Sequence, residues 1–404
     1  MTKNFGPWAT AASAGSKAQL STFWKSRLRM LPATRRSSAR LSSRTALFLL
    51  IGAASFWFLP TLRTTEQADA WATDEPGQTG RGTMGTIGTK STSIWCLAFS
   101  PDSQTMAGGA RDGRVVLWDA ESNDNGQERT ILTTKQDWMT AIGFDSSGES
   151  LFLAGKEVER WNAKTWQRTR IIGLEGVEGF RINSLSRDCA NAAGTKGRAL
   201  RIWDTGTGRI THTFSLMGIG LKAMFSPDRR LVAVGTMVDM GDTEGKKSGV
   251  QIWDLSSGQL KRAILVPNGS ISAVEFSHDG KVIAGGTHRE VLVWDADTGD
   301  LKQRFRGVSG PIEAIAFSPD DEMVAAGGQG PELRRPNQVL LLSEMKVWNL
   351  KTRELVKSNV GELGRNTSLA FSPDGRRLAR CDYRSVMVDN LVRPGTSWTR
   401  SYEQ

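Results

Sequence analysis

The chain has 404 residues with 39% apolar side chains, 43 glycines, 14 tryptophans and a formal net charge of +10. Nine basic residues and no acidic residue fall within residues 1–44, so the rest of the chain is nearly neutral. This distribution argues against a nucleic-acid-binding domain, because such a domain carries its basic surface on the folded body. Frequent glycine and tryptophan with short polar breaks favour an all-β chain with tight turns.

Residues 45–62 form one apolar segment directly after the basic residues 1–44. Its 18 residues are just long enough to span a bilayer as a helix. Basic residues precede the segment and acidic residues follow it, which predicts a cytoplasmic N-terminus and an extracytoplasmic body. We therefore predict a single-pass signal-anchor behind a disordered basic tail. The alternatives are a signal peptide cleaved near Ala70, giving a secreted or periplasmic protein, a mitochondrial transit peptide, or a buried helix.

Residues 63–81 separate this segment from the repeats that follow. They are polar, contain proline and glycine, and show no apolar period. Such a composition is typical of a flexible linker. Residues 82–404 are then predicted to form one repeat domain.

Two short motifs recur seven times in a fixed order in this domain. The first motif is Phe-Ser-Pro-Asp or a weaker version of it, and its copies begin at Phe99, Phe144, Leu185, Phe225, Phe276, Phe317 and Phe371. The second motif is Trp-Asp or Trp-Asn, replaced by Val388-Asp389 in the last copy, and its tryptophans are Trp118, Trp161, Trp203, Trp253, Trp294 and Trp348. Proline sets the backbone angle of a tight turn, and each tryptophan can bury a large area against a sheet.

The paired motifs resemble those of the WD-repeat family over residues 82 to about 402. This resemblance implies an all-β fold, a seven-bladed β-propeller of four-stranded antiparallel blades, preceded here by one N-terminal hydrophobic helix. It also implies a buried hydrogen-bonded set around an aspartate six residues before the tryptophan position. Asp112 and Asp382 match that aspartate. The other copies lack it and no Gly-His pair occurs, so most blades must rely on packing.

Two segments are candidates for closing the ring. Residues 83–88 precede the first blade at the place where an outer strand should lie. We predict that they supply the outer strand of the last blade, which removes an open sheet edge. Residues 397–402 are the rival for this position.

The fourth and sixth copies carry insertions between their second and third strands. From the turn to the tryptophan they take 27 and 30 residues, against 16 to 18 in the other copies. In this family such loops open on one face of the ring, usually called the top, and inserted segments there often bind partners. We predict a partner site on this face, and neutral surface decoration is the alternative. The predicted contact residues are Trp138, Asp239, Asp242, Lys246, Lys247, Glu332, Arg334 and Arg335.

No catalytic or phosphate-binding motif occurs, and no cofactor or metal site is predicted. Cys96, Cys189 and Cys381 lack metal-site spacing, and a bridge between Cys96 and Cys381 is left open. The predicted function is a non-enzymatic scaffold, tethered to or exported across a membrane, that binds proteins or peptides. The alternatives are a hydrolase or lyase borne on the propeller, and a binder of glycans or small ligands.

Overall fold

A computed structural model of the chain describes residues 83–88, 93–120, 128–134, 136, 139–237, 248–266, 270–335, 338–382 and 385–391. These residues form 28 strands that assemble into seven four-stranded antiparallel sheets. In chain order the strands are β1 (Thr83–Gly88), β2 (Ile94–Phe99), β3 (Thr105–Ala110), β4 (Arg114–Asp119), β5 (Glu128–Thr133), β6 (Ala141–Phe144), β7 (Ser150–Ala154), β8 (Glu157–Asn162), β9 (Arg168–Gly173), β10 (Arg181–Leu185), β11 (Asn191–Lys196), β12 (Ala199–Asp204), β13 (Ile210–Ser215), β14 (Ile219–Phe225), β15 (Leu231–Met237), β16 (Ser248–Asp254), β17 (Gln259–Val266), β18 (Ala273–Phe276), β19 (Val282–Gly286), β20 (Glu290–Asp295), β21 (Leu301–Arg306), β22 (Ile312–Phe317), β23 (Met323–Arg335), β24 (Gln338–Asn349), β25 (Leu355–Leu363), β26 (Ser368–Phe371), β27 (Arg377–Cys381) and β28 (Ser385–Asn390).

Each sheet is one blade of a closed seven-membered ring. The first strands of successive blades, β2, β6, β10, β14, β18, β22 and β26, contact one another in order, and β26 contacts β2 again. The predicted all-β, seven-bladed propeller is confirmed. The predicted N-terminal helix at residues 45–62 lies outside the described residues.

The ring is closed by a strand from the beginning of the described chain. β1 pairs antiparallel with β28, with Thr83 opposite Asp389 and Gly88 opposite Ser385, and so becomes the outer strand of blade 7. This is the arrangement predicted for residues 83–88. The rival segment, residues 397–402, lies outside the described residues.

Each first motif builds the turn between the first and second strands. In blade 1, Ser100 Oγ donates to Asp102 Oδ1 at 2.5 Å and accepts the Thr105 amide at 2.9 Å. The bond from Ser100 holds the pKa of Asp102 below its usual range. The same serine–aspartate pair recurs in five other blades, as Ser186–Asp188, Ser226–Asp228, Ser277–Asp279, Ser318–Asp320 and Ser372–Asp374.

The residue after this turn has a left-handed backbone and contacts the preceding blade. It is glycine in blades 2, 5 and 7 but Ser103, Cys189, Arg229 and Asp321 in the others, with φ between 56° and 62°. Asp321 of blade 6 accepts the His278 and Asp279 amides of blade 5, at 2.7 and 2.8 Å. A left-handed non-glycine residue costs about 1–3 kcal/mol, which the bonds to the neighbouring blade offset.

A second set of bonds joins the inner strands of neighbouring blades, and in blades 2, 5 and 7 it is donated towards the following blade. A hydroxyl just before the inner strand donates to a carbonyl of the next blade's inner region. Ser272 Oγ donates to the Ile312 carbonyl at 2.5 Å, and Thr140 makes the equivalent bond to Ile182. Thr367 Oγ1 lies 3.5 Å from the Ile94 carbonyl across the closing junction. These bonds orient each blade on its neighbour.

Small residues on the second strand of a blade pack against the tryptophan of the same blade on one face and towards the next blade on the other face. A Cβ added to Gly108 would lie 2.7 Å from the ring of Trp118 in the same blade. A Cβ added to Gly109 would lie 2.6 Å from Met139 Sδ, which leads into the next blade. Glycine is therefore needed at both positions for the tryptophan to lie flat and for the blades to approach closely.

The six motif tryptophans lie within the sheets: Trp118, Trp161, Trp203, Trp294 and Trp348 are buried, and Trp253 is half-buried. In blades 2 to 6 the polar residue after the tryptophan caps the following turn. Asp254, for example, accepts the Ser256 and Ser257 amides at 2.8 and 2.9 Å. The Ser256 hydroxyl bond lowers the pKa of Asp254 to about 2.

The two aspartates assigned to a buried set differ from each other. Asp382 is buried and accepts the amide and hydroxyl of Ser385, at 2.8 and 3.0 Å. Asp112 is exposed, and its carboxylate instead bonds the amide and guanidinium of Arg114. Asp382 is therefore part of a buried hydrogen-bonded pair with Ser385, whereas Asp112 lies at the surface and bonds to Arg114.

Asp321→Ala is expected to lower the free energy of unfolding by about 2 kcal/mol, because it removes charge-assisted bonds to blade 5 while keeping the left-handed backbone. Chemical denaturation measures this loss. Asp300→Ala, at an exposed turn of blade 5, is the matched control and should change stability by less than about 0.5 kcal/mol. Equal effects of the two substitutions would show that the contact between blades 5 and 6 contributes nothing.

Candidate functional site

Blade 6 carries a long β-hairpin between its second and third strands. β23 has 13 residues and β24 has 12, whereas the second strands of the other blades have 5 to 7. At about 3.3 Å per residue the hairpin projects roughly 20 Å beyond an ordinary blade. Antiparallel topology places it at the same end of the blade as the linkers between blades. We call residues 329–342 the arm.

The insertion in blade 6 differs in form from the prediction. Residues 329–338 were expected to be an inserted loop, but most of them continue the two strands. Glu332 pairs with Leu341 and Leu333 with Leu340, after a register shift between Gln329 and Glu332. The apolar run that begins at Val339 favours a strand over a loop, which explains the difference.

The base of the arm is fixed from two neighbouring segments. Buried Glu344 accepts the Ser309 amide at 2.7 Å and pairs with Lys346 at 3.3 Å. The Asn366 side chain, just before blade 7, donates to the Glu344 carbonyl at 2.7 Å. The arm therefore leaves the ring from an anchored position, so a partner would meet a surface that is already ordered.

The two sides of the arm differ in chemistry. Glu332 and Arg334 lie on one side and form an exposed ion pair of 3.0 Å, with Val339 on that side as the residue opposite Arg334. Leu333 and Leu340 face the other side as a cross-strand pair. Leu333 is 41% exposed and Val339 is 56% exposed. Each side therefore presents an apolar residue to solvent at the tip.

The long edges of the arm have no strand beside them in the described residues. The last pair between β22 and β23 is Ile312–Gly328, and the pairing of β24 with β25 begins at Leu342. Beyond these points the Gln329 amide still donates to the Pro311 carbonyl and the Leu341 carbonyl accepts the Gly364 amide. Only the backbone groups nearer the tip therefore lie along an edge without a described strand beside it. Free strand edges with apolar side chains are a recurring mode of peptide recognition.

Exposed apolar side chains are concentrated on blade 6. Five of the ten large exposed hydrophobic residues in the described chain belong to it, and blades 1 to 5 contribute one each. Single exposed hydrophobic residues are ordinary, but a cluster marks an interaction surface. The blade-6 residues are Leu333, Val339, Leu355, Val356 and Val360.

The structure brings together some of the predicted contact residues and leaves others undescribed. Glu332 and Arg334 form an ion pair on the arm. Arg335 is the last residue of β23, and its side chain is not among those that the structure describes. The predicted residues outside the described chain are Trp138, Asp239, Asp242, Lys246 and Lys247. The sequence interpretation missed Val339, whose signal was an apolar run without alternation at residues 339–342.

The inner strands carry an unusual carboxyl group. Glu275 on β18 is half-buried, and burial raises its pKa to about 8, while the positive charge of Lys222 on β14 lowers it by a smaller amount. The carboxyl is therefore mostly protonated at neutral pH. Among the described residues no group of three or more histidine, cysteine or acidic side chains is arranged to hold a metal ion.

The three cysteines are free and buried, so the bridge left open between Cys96 and Cys381 is not formed. Burial raises the pKa of all three thiols, that of Cys381 to about 12. These thiols are unreactive in the ring as it stands.

Across the described strands and loops, no helix has the length and apolar character required to cross a membrane. The predicted anchor at residues 45–62 lies outside this part of the chain.

A sequence model of the WD domain, G-beta repeat, matches residues 82–119 and 260–295. Both matches begin at the outer strand of one blade and end with the third strand of the next, so they cover β1–β4 and β17–β20. The matched unit is therefore offset from the blade by one strand. This offset agrees with the role of β1 as an outer strand.

Three curated proteins are similar to parts of the chain. Periodic tryptophan protein 2 of Arabidopsis thaliana is 27% identical over 48% of this chain and 21% of its own length. Telomerase protein component 1 of Rattus norvegicus is 30% identical over 36% of the chain and 5% of its own length. Echinoderm microtubule-associated protein-like 2 of Rattus norvegicus is 24% identical over 52% of this chain and 30% of its own length. The chain thus spans less than a third of each of these relatives.

Glu275→Gln is expected to change how stability depends on pH. The folded-state pKa of about 8 lies above the ordinary value, so ionisation favours the unfolded chain as pH rises from about 5 to about 9. The thermal midpoint of the original protein should fall relative to that of the glutamine variant over this range, by several degrees. Parallel midpoints in a pH series would contradict the assignment.

Proposed function

The chain belongs to the WD-repeat β-propeller family, and from this premise we propose that it is a non-enzymatic protein-interaction scaffold. The observation that carries the proposal is the arm on blade 6, an anchored hairpin with free edges and exposed Leu333 and Val339. A rigid ring with one projecting apolar element is suited to holding another polypeptide.

The chemistry of the arm favours an extended, partly apolar segment of a partner protein. Such a segment can add to a free strand edge through its backbone and place alternate side chains on Leu333 or Val339. Arg334 and Glu332 neutralise each other, so charge is a minor part of the recognition. The insertion of blade 4, residues 237–247, is proposed as a second contact for the partner.

We also propose that residues 45–62 tether the ring to a membrane, with the N-terminus cytoplasmic and the propeller on the other side. The support is the order of charges around the apolar segment and the polar linker at residues 63–81. Cleavage near Ala70 would instead release the propeller as a secreted or periplasmic protein. A hydrolase or lyase, and a binder of glycans or small ligands, remain alternatives that no observation on this surface favours.

Removing the arm should abolish partner capture without unfolding the ring. Gln329 and Ser343 are paired, so residues 330–342 can be replaced by Asn-Gly, which closes a two-residue hairpin. We expect capture of specific proteins from solubilised membranes of the native host to fall at least tenfold, measured by quantitative mass spectrometry.

Two controls sharpen this comparison. Leu333→Ser/Val339→Thr should reduce capture while keeping the arm, and Leu301→Ser, at a similarly exposed leucine on blade 5, should not. Thermal unfolding of each variant verifies the fold. Undiminished capture by the arm-deleted protein would refute the proposed role of the arm.

The tether is tested by fractionating cells of the native host. If residues 45–62 anchor the protein, the chain should stay with membranes after carbonate extraction, and deletion of 45–62 should release it. An externally added protease should degrade the propeller in intact spheroplasts. A mature N-terminus near Ala70 would select the exported alternative, and a cytoplasmic chain would exclude both.

A further inference from the structure

The outer strand of blade 6 has an apolar free edge. Within β25, Leu355, Val356 and Val360 are 50%, 38% and 47% exposed. Of the outer strands of blades 1 to 5, none has more than one large exposed hydrophobic residue among its described side chains. β25 ends its sheet, so its outer backbone groups have no strand beside them in the described chain. Proteins shield an apolar edge of this kind with charges, a bulge or a covering segment.

The described chain ends beside this edge. Lys357 of β25 pairs with Asp389 at 2.9 Å, and its Nζ lies 3.5 Å from the Asn390 carbonyl. Leu391 packs against the apolar cluster shared by blades 6 and 7, and its amide donates to the Arg376 carbonyl at 2.8 Å. These contacts fix the point at which residues 392–404 leave the ring.

Residues 392–404 carry the chemistry of a covering strand. Pro394-Gly395 is a turn signal, and Trp398 and Tyr402 share one side of an extended segment. These 13 residues can reach about 43 Å when extended, and nine-residue β25 is about 30 Å long. The outer-strand position in blade 7, for which this tail is a rival in sequence, is occupied by β1. That position is therefore not open to the tail.

We propose that residues 392–404 bind along the outer edge of β25, with Trp398 and Tyr402 covering Leu355, Val356 and Val360. The tail adds a fifth strand to blade 6 through backbone bonds and shields the apolar side chains from water. A covalently connected segment has an effective concentration of roughly millimolar, so it outcompetes a second copy at micromolar concentration. This interaction is independent of the function proposed for the arm.

Photo-crosslinking locates the tail directly. p-Benzoylphenylalanine replaces Trp398 in the full chain, which is irradiated in mild detergent and mapped by mass spectrometry. We expect intramolecular crosslinks to residues 355–360. Crosslinks confined to residues 83–88, crosslinks to another copy that increase with concentration, or no crosslink to 355–360 would each overturn the proposal.

Hydrogen exchange tests the same contact without a probe. A chain ending at Leu391 keeps every described strand, and its β25 amides should exchange at least tenfold faster than those of the full chain, while those of β9 stay unchanged. A synthetic peptide of residues 392–404, added in excess, should restore protection. Identical β25 exchange in the two chains would overturn the proposal.

Side-chain variants of the full chain guard against an indirect effect of truncation. Trp398→Ser/Tyr402→Ser and Val360→Lys should each reproduce the faster exchange in β25. Thr399→Ser/Ser401→Thr and Ile171→Lys, at a similarly exposed residue of β9, are the matched controls and should leave β25 unchanged. A control that accelerates β25 as much as the test variants would count against the proposed contact.

Discussion

The pairing of β1 with β28 is the contact on which the rest of the ring depends. Without it, blade 7 would have three strands and an open edge, and its face towards blade 1 would lose part of its support. The same junction contains a shared apolar cluster with Ile94 and Trp118 from blade 1 and Val386 from blade 7. Ser103 completes the junction by accepting two hydrogen bonds, one from the Asp374 amide to its hydroxyl and one from the Arg377 guanidinium to its carbonyl. Closure thus joins segments nearly 300 residues apart in sequence, with buried apolar area as the main source of stability.

Most blades lack the aspartate-centred polar set that the family resemblance implies, and packing takes its place. The tryptophan of each of the first six blades lies in the sheet, and glycines such as Gly108 make room for its ring. Serine–aspartate turns then define one end of each blade with a few short bonds. The polar contacts between blades are few at each junction, so they orient the blades while apolar burial holds them together.

Much of the fold could be predicted from the sequence, because each blade is built from local signals. The Ser-Pro-Asp turn and the Trp-Asp pair specify strand ends within a few residues. The strand predicted before Ile94 was one of two candidates for completing the last blade, and β1 occupies that position. The form of the arm is harder to predict. Gly330 and Pro331 suggest a loop, yet the pairing of Leu333 with Leu340 extends two strands. The exposure of Val360 depends on what lies beside β25 in space, which no local pattern records. The bonds of Asp321 to blade 5 likewise depend on tertiary neighbours.

The residues that follow the first turns make the junctions between blades chemically distinct. Arg229 of blade 4 forms an ion pair with Asp188 of blade 3, and Asp321 of blade 6 accepts backbone amides of blade 5. Ser103 of blade 1 accepts the Asp374 amide of blade 7 at the closing junction. Glycine occupies this position in blades 2, 5 and 7. The modules of this propeller are consequently not interchangeable, although their backbones are alike. Exchanging blade 4 with another blade would separate Arg229 from its partner Asp188. Circular permutation at a linker would instead keep every contact between neighbouring blades. The order of the blades is thus encoded in the folded ring as well as in the chain.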